Sequence, residues 1–509
     1  MSQNLSRQLR ILKEPVRSKR GAVAAKNQAA ADIGARILSS GGNAIDAAIA
    51  AAFALSILEP WTSGLGSNGC MTVWDARKCR GQVVDFAGAP PRRTPNAESD
   101  WPGAFALKED ADAAHDEHAY RSIAVPGLAE GLWTAHVFAT KPWTELLAPA
   151  IELCEEGLEL DWYGLLTIGS AANELSRFPA SRNWFLPLGY PSSITGINRF
   201  RLRNPALTAT LKALAERGGR DFYEGSIAHA FASDAVEGGA LIDKADLHAY
   251  RAQLLEPAVV MRGGKRFLMP PHAAIGKMFR EIIGGSQEWK STVDRSTFLK
   301  YAHLFSAAHA EYSNVGAEIP DGWSSHVSVI DGEGNMASLS QSLGSTFGSK
   351  IVLPETGILV NNAAPATRDR PSDTDPSRGA VRTTNHLLPM LGVSGDRPWL
   401  ALGVSGDRHI LPTIVQLISF LIDFGFSVED AFSHPRIGIR RPGEIQIDST
   451  ASLDVRQAIE QVFRVAELPF SLYPFSRPCA VAVGVDFFSG DRIAMTETSE
   501  PWAGSSAAH

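Results

Sequence analysis

Two alternating runs dominate the centre of the chain, "SSHVSVI" at 324–330 and "MASLSQSL" at 336–343, joined by Asp331-Gly-Glu-Gly-Asn335. A glycine-rich link between runs of period two predicts a β-hairpin. Alternate residues of a strand share a face, so Ser324, His326 and Ser328 point one way and Ser325, Val327 and Val329 the other. Ser338, Ser340 and Ser342 likewise share one face of the second strand. A solvated sheet face accounts for the concentration of hydroxyls as well as a buried site does.

The character of the chain changes at this hairpin. Residues 1–20 read as a polar arm. The segment 21–59 reads as a short strand and two Ala-rich helices, with Gly41-Gly42 closing the first and Asn43 with Asp46 opening the second as a capping box. Pro60 stops the second helix near Glu59. Residues 120–320 are mostly helical in pattern, with 3.6-residue apolar spacing in "PWTELLAPAIELCEEG" and "PALTATLKALAERGG". From 324 onward short strands alternate with Gly, Asp, Asn and Pro turns, interrupted by a helix at "HILPTIVQLISFLIDFG". The reading is therefore a helix-rich region 21–323 and a strand-rich region 324–509. A direct repeat, "GVSGDR", occurs at 392–397 and 403–408. The first copy reads as a hairpin turn and the second as a strand-to-helix turn, where backbone N–H groups favour anions.

Composition narrows the function classes. A formal net charge of −7 offers no basic stripe for nucleic acid. Among thirteen histidines and four cysteines there is no H-E-x-x-H and no C-x-x-C, so no metal and no cofactor is expected. Four cysteines in 509 residues make no disulfide framework. Cys70 and Cys79 are close enough in sequence to pair, and reduced thiols fit equally well. The basic N-terminus lacks an apolar core for a secretory signal, and the most apolar segment, 44–58, is too short to span a bilayer. A cytoplasmic protein is expected, without a membrane partner; its oligomeric state is open.

A Ser-Ser pair after a bulky Trp323 reads most plainly as a surface loop. The sharper reading is a self-cleaving peptide bond. The Ser324 hydroxyl would attack the carbonyl of Trp323, and hydrolysis of the resulting ester would free the α-amine of Ser324. That amine can then serve as general base for its own side chain, so no catalytic histidine is needed. There is no G-x-S-x-G elbow for a conventional serine esterase.

Several stretches, among them "GAVAAKNQAAADIGARILSSGGNAIDAAIAAAFALSILEP", "SIAVPGLAEGLWTAH", "SSHVSVIDGEGNMASLSQSLGSTFGS" and "TGILVNN", together resemble the γ-glutamyltransferase family of N-terminal nucleophile hydrolases, in the family's order and over most of 21–440. The resemblance implies an α+β, four-layered αββα fold, made as one precursor and cut into a large and a small subunit that act on a small-molecule amide. It implies that Ser324 is the nucleophile, in place of the family's usual Thr. It implies that Ser342 assists processing and that Ser405 and Gly406 fall in the oxyanion loop.

The resemblance fails where the family binds glutamate. Ala87 stands where an Arg would hold the α-carboxylate, with Arg92 and Arg93 nearby. Alanines follow Asn361-Asn362, Gly344 replaces an Asn, and Asn385-His386 replace a Ser pair. Arg382, Asn385, His386 and Asn362 are therefore the candidate substrate contacts. The expectation is an amidohydrolase that cleaves an amide or lactam with a different acyl group. A true γ-glutamyl hydrolase or transferase, and an uncut relative that only binds a ligand or partner, are the alternatives.

Overall fold

The computed structural model describes residues 13–92, 119–191, 201–285, 292–314, 322–364, 386–441, 443–467 and 479–509. In chain order the strands are β1 (Val16–Ser18), β2 (Gly21–Ala25), β3 (Asn68–Asp75), β4 (Arg80–Phe86), β5 (Leu158–Glu159), β6 (Arg201–Leu202), β7 (Gln253–Leu255), β8 (Ala258–Arg262), β9 (Lys265–Met269) and β10 (Gly322–Asp331). They continue with β11 (Met336–Ser345), β12 (Met390–Ser394), β13 (Arg397–Ser405), β14 (Ile437–Arg441), β15 (Glu444–Ile447), β16 (Arg464–Glu467), β17 (Cys479–Val485), β18 (Arg492–Thr496) and β19 (Gly504–Ala507). Two seven-stranded sheets form, in the orders β1-β18-β17-β13-β12-β9-β8 and β19-β2-β10-β11-β3-β4-β7.

Three hydrophobic cores separate four layers. One, with Val327, Val329, Ala337 and Leu339, lies between the β10–β11 sheet and the helices α1 (Gln28–Ser39) and α2 (Ala44–Leu58). A second, with Leu400, Leu402, Ile414 and Ile418, lies between the β12–β13 sheet and the helix α3 (Ile410–Ile422). The third joins the sheets face to face through Ala22, Trp74, Ile330, Leu391 and Val481. The result is the expected α-β-β-α sandwich, in which removing apolar surface from water is the main driving force.

Local signals explain how α2 is placed. The Asn43 side chain accepts from Ile45 and Asp46 N–H, and Asp46 Oδ2 accepts from Asn43 N at 2.7 Å. Asp331, from the hairpin turn, accepts from Ala44 N at 3.0 Å and so occupies another open donor of the same helix end. Apolar on every side, α2 sits buried beneath β10 and β11.

Three sequence expectations change, and one left open is decided. The polar arm ends in β1, an edge strand paired with β18. The region 120–320 contributes strands β7, β8 and β9 as well as helices, because the alternation in 253–269 is carried by short runs around turns. "KIVLP" and "GILVNN" make only isolated bridges, Val352 to Leu359 and Gly66 to Val360. The serine face of the hairpin is buried between the sheets. Ser328 Oγ donates to the Val481 carbonyl and Ser338 Oγ to the Leu402 carbonyl, so the facing sheet takes the place of solvent.

The two halves divided at 323 are not separate domains. Both large sheets contain strands from each side of that position: β19, β10 and β11 interleave with β2, β3, β4 and β7, and β18, β17, β13 and β12 lie between β1 and β9. All four cysteines are free thiols, Cys70 buried and Cys79 exposed.

Candidate active site

The bond between Trp323 and Ser324 sits at an irregularity of the sheet. Trp323 pairs with Gly344 but Ser324 pairs with Ser342, so Leu343 is an extra residue in β11. Leu343 N–H donates instead to the Thr62 carbonyl at 3.1 Å. A bulge bends a strand and re-aims its groups. Here Ser342 Oγ donates to the Trp323 carbonyl at 2.6 Å and accepts from Gly344 N at 2.9 Å. A hydroxyl on that oxygen polarises the carbonyl that Ser324 would attack.

Ser324 is buried, and a buried ion pair lies against it. Lys26 Nζ donates to the Ser324 carbonyl at 3.2 Å, stands 3.6 Å from Glu59 Oε2 and lies 5.3 Å from the centroid of the Trp323 ring. Lys26 and Glu59 are each 1% exposed. Burial pushes the Glu59 carboxyl up to about 7 against the pull of Lys26. Thr62 and Ser63, on the turn after α2, hydrogen-bond Ser325 Oγ at 2.8 and 3.1 Å. Ser325 thus anchors the strand from its other face.

His326 has no role in proton transfer that its surroundings support. Its ring exchanges hydrogen bonds with Ser340 and Ser328 hydroxyls at 2.7 and 3.0 Å, and burial pushes it down to about 3. It packs on Gly403, where an added Cβ would come within 2.0 Å of its Cε1. The second copy of the repeat therefore begins with a glycine that the histidine requires.

Further along, Ser405 pairs with Cys479 and is fully buried, with no hydrogen-bond partner to its hydroxyl among the described residues. Gly406 takes φ +118°, a backbone path L side chains rarely adopt. The 3-10 turn Asp407–His409 that follows comes within 8 Å of β10. Lys26 also acts electrostatically on the Cys479 thiol, which burial pushes well up. The end of β13 therefore lies on the nucleophile's side of the gap between the sheets. The first repeat copy, with Gly395 at φ +60°, is the β12–β13 hairpin turn, as expected.

The proposed substrate contacts fare unevenly. Asn362 is next to the site: a Cβ on Gly344 would fall 2.2 Å from its Oδ1. Both ends of its amide, however, hold Ser345, with Nδ2 to Oγ at 2.9 Å and Oδ1 from N–H at 3.0 Å. Asn361 is buried and bound to Gly66 and Ala124. His386 is half-buried, and burial pushes it down to about 4. Arg382, Asn385 and Arg93 lie outside the described residues. Arg92 is committed elsewhere, with Nε 2.9 Å from Asp246 Oδ1.

Sequence reading missed Lys26, Glu59 and Asn68. A lysine ending the apolar strand "GAVAA", and a glutamate directly before Pro60, were visible signals, because charges in such settings need partners.

The chain matches the family model described as gamma-glutamyltranspeptidase over residues 30–314 and 290–471. The chain belongs to the gamma-glutamyltranspeptidase family. This makes it an enzyme of the N-terminal nucleophile amidohydrolase and acyltransferase class. It is 28% identical over 491 residues to the acylase ACY 1 proenzyme of Pseudomonas sp. (strain V22), covering 88% of this chain and 87% of that protein. To the glutathione hydrolase proenzyme of Escherichia coli (strain K12) it is 26% identical over 514 residues, covering 88% and 86%. The structure of cephalosporin acylase from Bacillus halodurans superposes with a TM-score of 0.85, at 24% identity, over 100% of this chain and 99% of that one. This likeness shows a shared fold. Among the described residues no cluster of His, Cys, Asp or Glu could hold a metal ion, and no helix is long and apolar enough to cross a membrane.

Proposed function

We propose that the chain is a precursor that cuts itself between Trp323 and Ser324, after which Ser324 hydrolyses an amide or lactam whose acyl group is not γ-glutamyl. The carrying observation is the Ser342 hydroxyl on the Trp323 carbonyl at a bulge in the strand. In maturation the Ser324 Oγ bonds to the Trp323 carbonyl carbon and the proton passes to the Ser324 nitrogen as the C–N bond breaks. Water then cleaves the ester, leaving a Trp323 carboxylate, a free hydroxyl and a free amine. In turnover that amine takes the Oγ proton while Oγ attacks the substrate carbonyl. The proton leaves with the amine product, and water releases the acid from the acyl-enzyme. An amine in place of water would give acyl transfer.

Ser405 and Gly406 are proposed as oxyanion donors, and His386, Arg382 and Asn385 as contacts to the acyl group. A relative named as an acylase fits this reading. So does the loss of glutamate-binding charge: Ala87 is buried, and Arg92 is held by Asp246. A buried ion without a partner costs several kcal/mol, so the uncharged Ala87 disfavours an α-amino acid zwitterion at that position.

The γ-glutamyl reading has support from a relative named glutathione hydrolase. Two assays decide. Intact mass of the purified protein should give pieces of 323 and 186 residues (509 − 323 = 186). Turnover of a γ-glutamyl anilide should be weak, and ordinary efficiency would overturn the proposed acyl specificity.

A further inference from the structure

Across the hairpin and its neighbour, three residues stand in one row. Ser324 pairs with Ser342, and Ser342 pairs with Asn68 at the start of β3. Directly opposed residues of antiparallel strands present their side chains on the same face. Asn68 therefore belongs to the face that carries the nucleophile and the hydroxyl on the Trp323 carbonyl.

Its amide is in an unusual state. Asn68 is 6% exposed, and among the described residues neither Nδ2 nor Oδ1 has a hydrogen-bond partner. Native proteins rarely leave a buried amide unpaired at both ends, and a group left so calls for an explanation, of which a bound partner is one. A second observation fixes where the amide lies. A Cβ on Gly88 would fall 2.6 Å from Nδ2 and 2.8 Å from Oδ1, so the amide lies against the backbone just past Asp85-Phe86-Ala87. The β3–β4 ladder closes at Gly69 and Phe86, which brings Asn68 beside Ala87. Asp85, the nearby acid, has Oδ1 engaged by Ala87 N–H at 2.9 Å.

We infer that Asn68 is a specificity-determining contact of the acyl pocket, pairing with a neutral group that both accepts and donates, such as a carboxamide, on the acyl part of the substrate. A carboxamide matches the Asn amide with two antiparallel hydrogen bonds, Nδ2 to its oxygen and Oδ1 from its N–H. A carboxylate satisfies only Nδ2 and sets a negative charge against Oδ1. An alkyl group satisfies neither end. A site built to hydrogen-bond a polar group rejects the analogue lacking it far more strongly than an apolar pocket rejects a polar isostere.

The inference rests on Ser324 being the mature nucleophile, and the test separates the two claims. Three p-nitroanilides of equal acyl length would be compared, ending in a carboxamide, a carboxylate or a methyl group. Wild-type protein, first shown by mass to be cut, should prefer the carboxamide in kcat/KM by about tenfold or more over each of the others. Asn68→Leu should cut itself and lose the preference over the methyl compound. Should Asn68→Leu not fold, the isosteric Asn68→Asp, which lacks the donor, should lower the preference for the carboxamide over the methyl compound. A cut wild type with no carboxamide preference, including one that turns over none of the three, overturns the inference, and so does a variant that keeps the preference. An uncut wild type overturns the reading beneath it.

Discussion

Ser342 Oγ lies 2.6 Å from the carbonyl oxygen of Trp323, donating to the oxygen on which negative charge would gather if Ser324 attacked that bond. Removing one such donor from a tetrahedral intermediate typically slows the step by about 10²–10³-fold. Ser342→Ala should therefore accumulate full-length chain for far longer than wild type, and Ser324→Ala should yield only the 509-residue species. A time course on denaturing gels reads both. Cleavage of Ser324→Ala at the same bond would rule out the hydroxyl as the attacking group.

Lys26 sets up a second expectation. A cation hydrogen-bonded to the Ser324 carbonyl disfavours protonation of the amine on the same residue, keeping it available as a base. Among the described residues the other charged or titratable groups nearby include Glu59, Asp161, Cys479, Glu497, Glu500 and Lys13. Lys26→Met should raise the amine's pKa and move the acidic limb of the kcat/KM profile up by about one pH unit. Glu59, already raised to about 7, then takes a proton and leaves no bare charge. Glu59→Gln should move the limb the opposite way. A role confined to packing would lower the rate equally at every pH.

Acid should destabilise the fold. His326 and His409 are held down to about 3 and His386 to about 4, by burial and, for His409, by Arg408 as well, against an ordinary value of 6.5. The unfolded chain binds more protons than the native one below 6.5, so stability rises with pH across roughly 3–6.5 and levels off above. Glu59 opposes this, since its raised carboxyl favours the native state on the acid side between 4.5 and about 7. Asp234 is raised as well, but His309 and His434 are also lowered, and the five histidines outweigh the two carboxyls. Thermal melts should fall on acidification below pH 6.5, and His326→Gln should flatten part of that slope.

Gly403 tests the contact between the sheets. A methyl there would come within 2.0 Å of the His326 ring, which its hydrogen bonds hold in place. Gly403→Ala should cost about 1–3 kcal/mol, read by denaturant unfolding of the Ser324→Ala precursor to keep the chain in one piece.

Much of this was legible from residue order. The alternation at 324–343 reports a strand pair because its period is local, and the Asn43–Asp46 box reports a helix start for the same reason. Which face of the hairpin is buried was not legible, because the β13 and β17 backbone that covers it comes from some 60–160 residues later. Lys26 could be seen as a charge at the end of an apolar strand, but its partners are Glu59 and residue 324, joined only by the fold. Asn68 lies within "SGLGSNGC", which by itself reads as a plain turn. Its significance depends on a row across three strands that no single stretch of sequence contains.

The interleaving of strands from both sides of residue 323 carries a further consequence. A molecule severed at that point remains woven, each fragment threaded through both sheets of the other. It holds its shape only by never fully opening, since the single thread that guided assembly is gone. Durability after scission then becomes a matter of how slowly the weave loosens, and a heated, nicked sample should not regain activity on cooling where an uncut one refolds.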